Sequence, residues 1–278
     1  MTRRLLASAL ALAVAVVAAT GVRGQAPPPV DPVHAAFDGI LDIYVRDGLV
    51  YYNALRLERA RFDRYVSSLA EQDIPASWDE RQRLAFWINA YNAFVLRTVI
   101  DHYPIRGRAA AYPANSIRQV PGAFEKRPFR AGGRTVTLDQ IEKDIIAPIG
   151  DARALLALGR GALGSPRLRS EAYTAARLDE QLAAVAREVV DRRELVHVDA
   201  PANTLSVTPL FSWREAAFVA GFAGRAEARY AARSPLEQAV LGLIGPHVVR
   251  SEADFLEQNR FTMAFHDFDW RLNDLTGR

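Results

Sequence analysis

Leu84-Ala85-Phe86-Trp87-Ile88-Asn89-Ala90-Tyr91-Asn92-Ala93-Phe94-Val95-Leu96 is apolar on nearly every side of a helical wheel. A helix with no polar face belongs at the centre of a core, with other elements packed around it. Its start is marked by Ser77-Trp78-Asp79-Glu80, which reads as a capping box, and Pro104 ends it soon after His102. Asn89 and Asn92 are three residues apart and share a face. A buried amide without partners costs roughly 1–3 kcal/mol, so both must bond to something. Two readings stand: they orient a catalytic group or a ligand, or they pin the helix to a neighbouring loop.

The flanking chain predicts further helices and a few short strands. Val33 to Tyr44 carries Phe37, Ile40, Leu41 and Tyr44 at helical spacing, and Leu57 to Leu69 carries Phe62, Tyr65, Val66 and Leu69. Leu49 to Tyr52 reads as extended after the Asp47-Gly48 stop. Pro104 to Arg130 has no periodicity and reads as a long loop, a kind that often serves function. Arg134 to Thr137 is a short strand after Gly132-Gly133, and Thr137-Leu138-Asp139-Gln140 caps a helix through Ile146. Gly159, Gly161, Gly164 and Pro166 break the segment Ala152 to Arg169 into a tight bend. Thr174 caps the next helix, and Leu195 to Asp199 with Thr204 to Val207 predicts a hairpin. Ser212 to Phe222 is helical, and Ser234-Pro235-Leu236-Glu237 opens a helix that ends near Gly245. The fold class expected is α+β: a mainly helical single domain over 33–278 with a small antiparallel sheet.

The chain's start gives an address. Arg3 and Arg4 precede an apolar run from Leu5 to Ala19, then small residues and a Pro-rich stretch. These are the parts of a signal peptide, expected over 1–24, with 25–32 as a Pro-rich lead-in. The run is shorter than the roughly 18–20 residues of a spanning helix, so an uncleaved anchor is the weaker alternative. The mature protein is expected to be secreted or periplasmic, with no membrane span after cleavage. There is no cysteine in the 278 residues, which excludes a lipidated cysteine, a disulfide framework and a thiolate site. The net charge is +3, carried by arginines interleaved with acids, which does not make a nucleic-acid footprint.

Chemistry-bearing candidates are few. Ser165 lies in the glycine-rich bend, and a serine nucleophile needs a base and oxyanion donors beside it. Pro166 removes the amide that a nucleophile elbow would use, and the Gly-x-Ser-x-Gly pattern is absent. The five histidines show no metal-helix spacing, so neither metal nor cofactor is expected. Asp267, Asp269 and Asp274 lack the glycine and glutamate of a calcium loop, and read instead as part of a segment docked by Trp270 and Leu272.

Taken in order, several stretches resemble the family known as domain of unknown function 547 (DUF547). They are Leu49 to Tyr52, Ala85 to Asn92, Leu138 to Glu142, Ser165 to Arg169 with Tyr173-Thr174, Phe211 to Trp213 and Asp269 to Asp274. The resemblance implies a frame of the papain or transglutaminase kind and a thiol hydrolase chemistry. It points to Ser165 and Glu142 as catalytic candidates, and to Asn89, Tyr91, Asn92, Arg169 and Tyr173 as residues that bind or orient a ligand. Its members commonly carry a histidine where Lys143 stands, another where Leu155 stands, and cysteines where Arg160 and Ser165 stand. With sulfur and both imidazoles gone, the expectation is a non-catalytic exported binding module for a peptide, a glycan or an envelope protein. An active hydrolase using Ser165 or another site is the alternative, and a purely structural envelope protein is the third.

Overall fold

The chain is described over residues 32–277 in a computed structural model. The signal peptide expected over 1–24 and residues 25–31 of the lead-in lie outside the described residues. Helix α1 (Ala35–Tyr44) buries Phe37, Ile40, Leu41 and Tyr44, as their spacing predicts. A minimal hairpin follows, β1 (Val45–Arg46) and β2 (Leu49–Val50), turned by Asp47 and Gly48 at positive φ. The extended reading stops there, because Tyr52 already begins helix α2 (Tyr52–Leu57). The single helix expected from Leu57 is therefore two, with α3 (Ala60–Glu71) following a break at Glu58, whose carboxylate accepts the Tyr44 hydroxyl at 2.7 Å.

Helix α4 (Glu80–His102) is the buried centre, and Leu84 through Leu96 are all inaccessible to solvent or nearly so. Its cap lies two residues later than the sequence suggests. Asp79 accepts the Gln82 amide at 2.8 Å, and the Gln82 side chain accepts the Asp79 amide at 3.0 Å. Ser77 stays outside because a turn closes from the Trp78 amide to the Pro75 carbonyl. The α4 rings interlock with their surroundings: Phe94 stacks on Phe129 at 4.3 Å, and Phe86 meets Trp87 and Trp78 edge-on.

The rest of the chain wraps this helix. Hairpin β3 (Phe129–Ala131) and β4 (Arg134–Val136) leads to α5 (Leu138–Gln140), capped by Thr137 as expected. The helix then widens into a π-wound segment, Ile141–Ile146. After α6 (Arg153–Leu156) and the glycine-rich bend comes α7 (Leu178–Asp191), whose N-cap position is Arg177 rather than Thr174. Thr174 instead donates its amide to the Gln181 side chain at 3.0 Å. The expected hairpin forms as β5 (Val196–Asp199) and β6 (Thr204–Val207), one residue shorter at its start than the sequence suggests. Helices α8 (Leu210–Trp213), α9 (Glu215–Phe222), α10 (Pro235–Ile244) and α11 (Arg250–Glu257) precede β7 (Thr262–Phe265). β7 pairs with β6 in parallel, so the largest sheet is mixed rather than antiparallel. A helical crossover from β6 to β7 returns the chain in the same direction, and only such a long connection permits a parallel pair.

About 49% of the described residues are helical and 11% are strand, which makes this a mainly helical α+β domain. One continuous apolar core joins α1, α3, α4, α7 and α10. Among the described residues no helix is long and apolar enough to cross a membrane. A partly exposed ion network ties α3, α4 and the long loop together. Asp101 accepts from Arg59 at 2.7 Å, from Arg97 at 2.9 Å and from Arg127 at 2.5 Å. Burial pushes the Asp101 carboxyl upward, but the hydrogen bonds from Arg59 and Arg97 outweigh it and hold the group below its ordinary value. A depressed folded value contributes stability above the unfolded pKa of about 4, and that stability is lost as pH falls through the folded value. Asp101→Asn should therefore lower stability at pH 7 by about 1.5–3 kcal/mol. The gap between wild type and variant, measured by urea unfolding, should narrow as the pH is lowered below about 4.

Candidate functional site

The two asparagines of α4 resolve their burial in the same way. Asn89 donates to the Tyr173 carbonyl at 2.8 Å and accepts the Tyr173 amide at 2.9 Å. Asn92 donates to the Ala157 carbonyl at 3.1 Å and accepts the Gly159 amide at 2.8 Å. Each side chain thus holds a passing backbone stretch at two points: Asn92 seats the glycine-rich bend against the buried helix, and Asn89 seats the stretch that follows it.

The bend needs its glycines at two places. Gly161 has φ +64°, a left-handed conformation that a side chain would strain. A Cβ on Gly164 would come within 2.7 Å of the Asp269 amide nitrogen, because the C-terminal segment runs directly alongside. Leu163 donates its amide to the Arg271 carbonyl and Gly164 to the Asp269 carbonyl, both at 2.9 Å. Within this turn the Ser165 hydroxyl oxygen accepts the Arg160 amide at 3.0 Å, and Ser165 is only 4% exposed.

Glu142 projects from the π-wound segment towards the same bend and is buried. Such local widening re-aims side chains and is frequent at functional positions. Arg160 Nη2 donates to Glu142 Oε1 at 2.7 Å, and both side chains are almost fully enclosed. Arg214 Nε lies 3.1 Å from the same oxygen but is not aligned to donate to it. Burial alone would lower the Arg160 pKa, but the Glu142 charge and the Tyr91 phenol raise it, and the net shift is upward. The Tyr91 hydroxyl sits among these charges, and burial shifts its pKa upward. It has no hydrogen-bond partner among the described residues.

Beside this pair opens a cleft of about 310 Å³, lined in part by Arg118, Phe124, Asp139, Trp213, Arg214 and Trp270. Trp213 and Trp270 are nearly parallel, 13° apart with centroids at 5.9 Å. The Arg118 guanidinium lies 4.5 Å from the Phe124 ring and 4.7 Å from Trp270. Arg160 sits 5.7 Å from the Trp213 ring, so its head group is shared between an acid and an aromatic face.

Of the sequence candidates, the structure brings Glu142 to the cleft and Ser165 to the bend beside Arg160. Asn89 holds the backbone of Tyr173, and Asn92 holds that of Ala157 and Gly159. Arg169 lies apart, paired with Glu171 at 2.5 Å. The histidines are held elsewhere: His34 by Tyr65, His102 by the Thr98 carbonyl, His197 by Arg193 and His266 by the Asp267 carbonyl. Burial and Arg187 lower the pKa of the fifth, His247. Among the described residues no cluster of His, Asp and Glu is arranged to hold a metal ion. Reasoning from sequence missed Arg118, Arg214 and the two tryptophans as cleft residues. Their signals were present: the aperiodic loop holds Arg118, and both tryptophans fall in stretches that carry the family resemblance.

Residues 75–190 match the family model described as a protein of unknown function, DUF547. The match takes in Asn89, Asn92, Glu142, Arg160 and Ser165, and stops before Trp213 and Trp270. No curated protein and no solved structure matches the chain.

Removing one partner of a buried ion pair leaves an uncompensated charge and costs about 3–5 kcal/mol, whereas replacing both by apolar groups is often neutral. Glu142→Gln should lower the urea midpoint accordingly. The double variant Glu142→Leu/Arg160→Met should recover a large part of the loss.

Proposed function

We propose that this chain, whose residues 75–190 match the DUF547 family model, is an exported binding domain that performs no catalysis, and that its ligand enters the cleft beside Glu142. The observation that carries this reading is the state of the two catalytic candidates. Ser165 Oγ accepts a backbone amide within its own turn, and no histidine or carboxylate among the described residues accepts its proton. A serine without a base at hydrogen-bond distance is not activated for attack. Glu142, the other candidate, faces the guanidinium of Arg160 rather than a hydroxyl. A thiolate route is closed because the chain has no cysteine.

The cleft supports binding in the positive sense as well. It combines an aromatic wall with a few convergent charged groups, the usual make-up of a ligand site, and its volume suits one compact group. Export rests on Arg3, Arg4 and the apolar run to Ala19, and it puts the ligand, a peptide, a glycan or an envelope protein, outside the cytoplasm.

Incubation of the purified protein with a fluorophosphonate serine-hydrolase probe should give no labelling above that of Ser165→Ala. Labelling of the wild type that disappears in that variant would overturn the non-catalytic reading. Protein recovered from outside the cytoplasm of the producing cell should begin at Gln25 by N-terminal sequencing.

A further inference from the structure

The cleft holds more hydrogen-bond donors than its own acceptors use. Tyr91 Oη, Arg118 Nε and Arg214 Nε are buried without hydrogen-bond partners among the described residues. Tyr91 is wholly buried, so the donors that a ligand in the cleft can reach are those of Arg118 and Arg214, which line it. A phenol and two guanidinium nitrogens all call for an acceptor.

The charges tell the same story. Four cationic side chains line the cleft against three carboxylates, an excess of one positive charge. Glu142 is taken by Arg160, with Arg214 Nε 3.1 Å from the same oxygen, and Asp139 by Lys143 with a looser contact of 3.4 Å to Arg214. Arg118 has only Glu125, a carboxylate 47% exposed at 2.5 Å. Exposed ion pairs of this kind contribute little, so another carboxylate can replace Glu125 at small cost.

Resting on the binding reading above, we propose that the ligand is an acidic saccharide. One uronate ring stacks on Trp213, and its carboxylate engages Arg118 and Arg214. Trp213 is 36% exposed and backed by Trp270, which makes it a rigid platform for the CH-rich face of a pyranose. Sugar hydroxyls both donate and accept, and the rim offers both kinds of partner: Asp139 and Glu125 accept, Lys143 donates. An apolar peptide terminus would fit less well, since its side chain would strip water from those two carboxylates without bonding to them. The planar fork of an arginine suits a single carboxylate, and one negative charge balances the excess.

Isothermal titration of the full chain with tri-galacturonate should give saturable binding. The methyl-esterified trimer should bind about ten- to a hundredfold more weakly, the loss expected for hydrogen bonds to a charged group. Trp213→Ala and Arg118→Gln, both at partly exposed positions, should each weaken binding by about tenfold or more with unchanged far-UV circular dichroism. Equal affinity for the ester, no binding of the acid trimer, or binding only of a peptide with a free carboxyl terminus would each overturn the saccharide assignment. None of these results touches the non-catalytic reading, which fails only if Ser165 reacts with the hydrolase probe.

Discussion

A helix covered by apolar neighbours on almost all sides has already paired its own backbone. A side-chain amide placed within it must find a foreign partner or forfeit roughly 1–3 kcal/mol. On α4 that requirement falls twice, at Asn89 and Asn92, and both times it is met by donating to and accepting from a passing main chain. A two-point contact fixes the direction of the captured backbone as well as its position. The bend from Ala157 to Ser165 is therefore oriented from behind, by the most buried element of the protein. From in front it is held by the amides of Leu163 and Gly164 bonding to the C-terminal segment. The direction in which Arg160 points follows from these constraints and from the φ of Gly161.

Once the bend is fixed, the Arg160 guanidinium meets Glu142 in a nearly closed space. Two charges in such a space owe their persistence to each other, and the desolvation of each is tolerable only while the other is present. The consequence for chemistry is direct. A general base needs a lone pair facing the proton it removes, and Glu142 Oε1 already faces Arg160, with Arg214 close by. At the position where resemblance to the family places a cysteine, a long cation replaces a short nucleophile and links the acid to the aromatic wall through Trp213. The frame does not need sulfur to keep its shape, because the clamps act on backbone.

Much of this was legible from residue order. The all-round apolar stretch named the central helix, and the caps at Thr137 and Ser234 gave starts that the structure keeps. The cap at Asp79 was displaced because a local turn at Pro75 to Trp78, invisible to a spacing rule, holds Ser77 aside. The parallel pairing of β7 was illegible for a different reason: register between distant strands depends on how the intervening helices pack. The roles of Asn89 and Asn92 were half legible. Burial demanded partners, but whether those were a ligand or a loop turned on a contact with Tyr173, far along the chain.

The cleft itself was the least legible feature, and its composition explains why. Arg118, Glu142, Arg160, Trp213 and Trp270 come from five separate stretches, so no local spacing relates them. Their convergence depends on close approach at Gly164, where any side chain would collide with the backbone of Asp269. That contact carries Trp270 to the bend, and Trp270 in turn supports Trp213 and Arg118. The part of the chain that matches the family thus positions a wall built by residues beyond it. A substitution at Gly164 would act on the cleft through the tryptophans before it disturbed the Glu142–Arg160 pair, which is anchored independently by Asn92 and the π-wound segment.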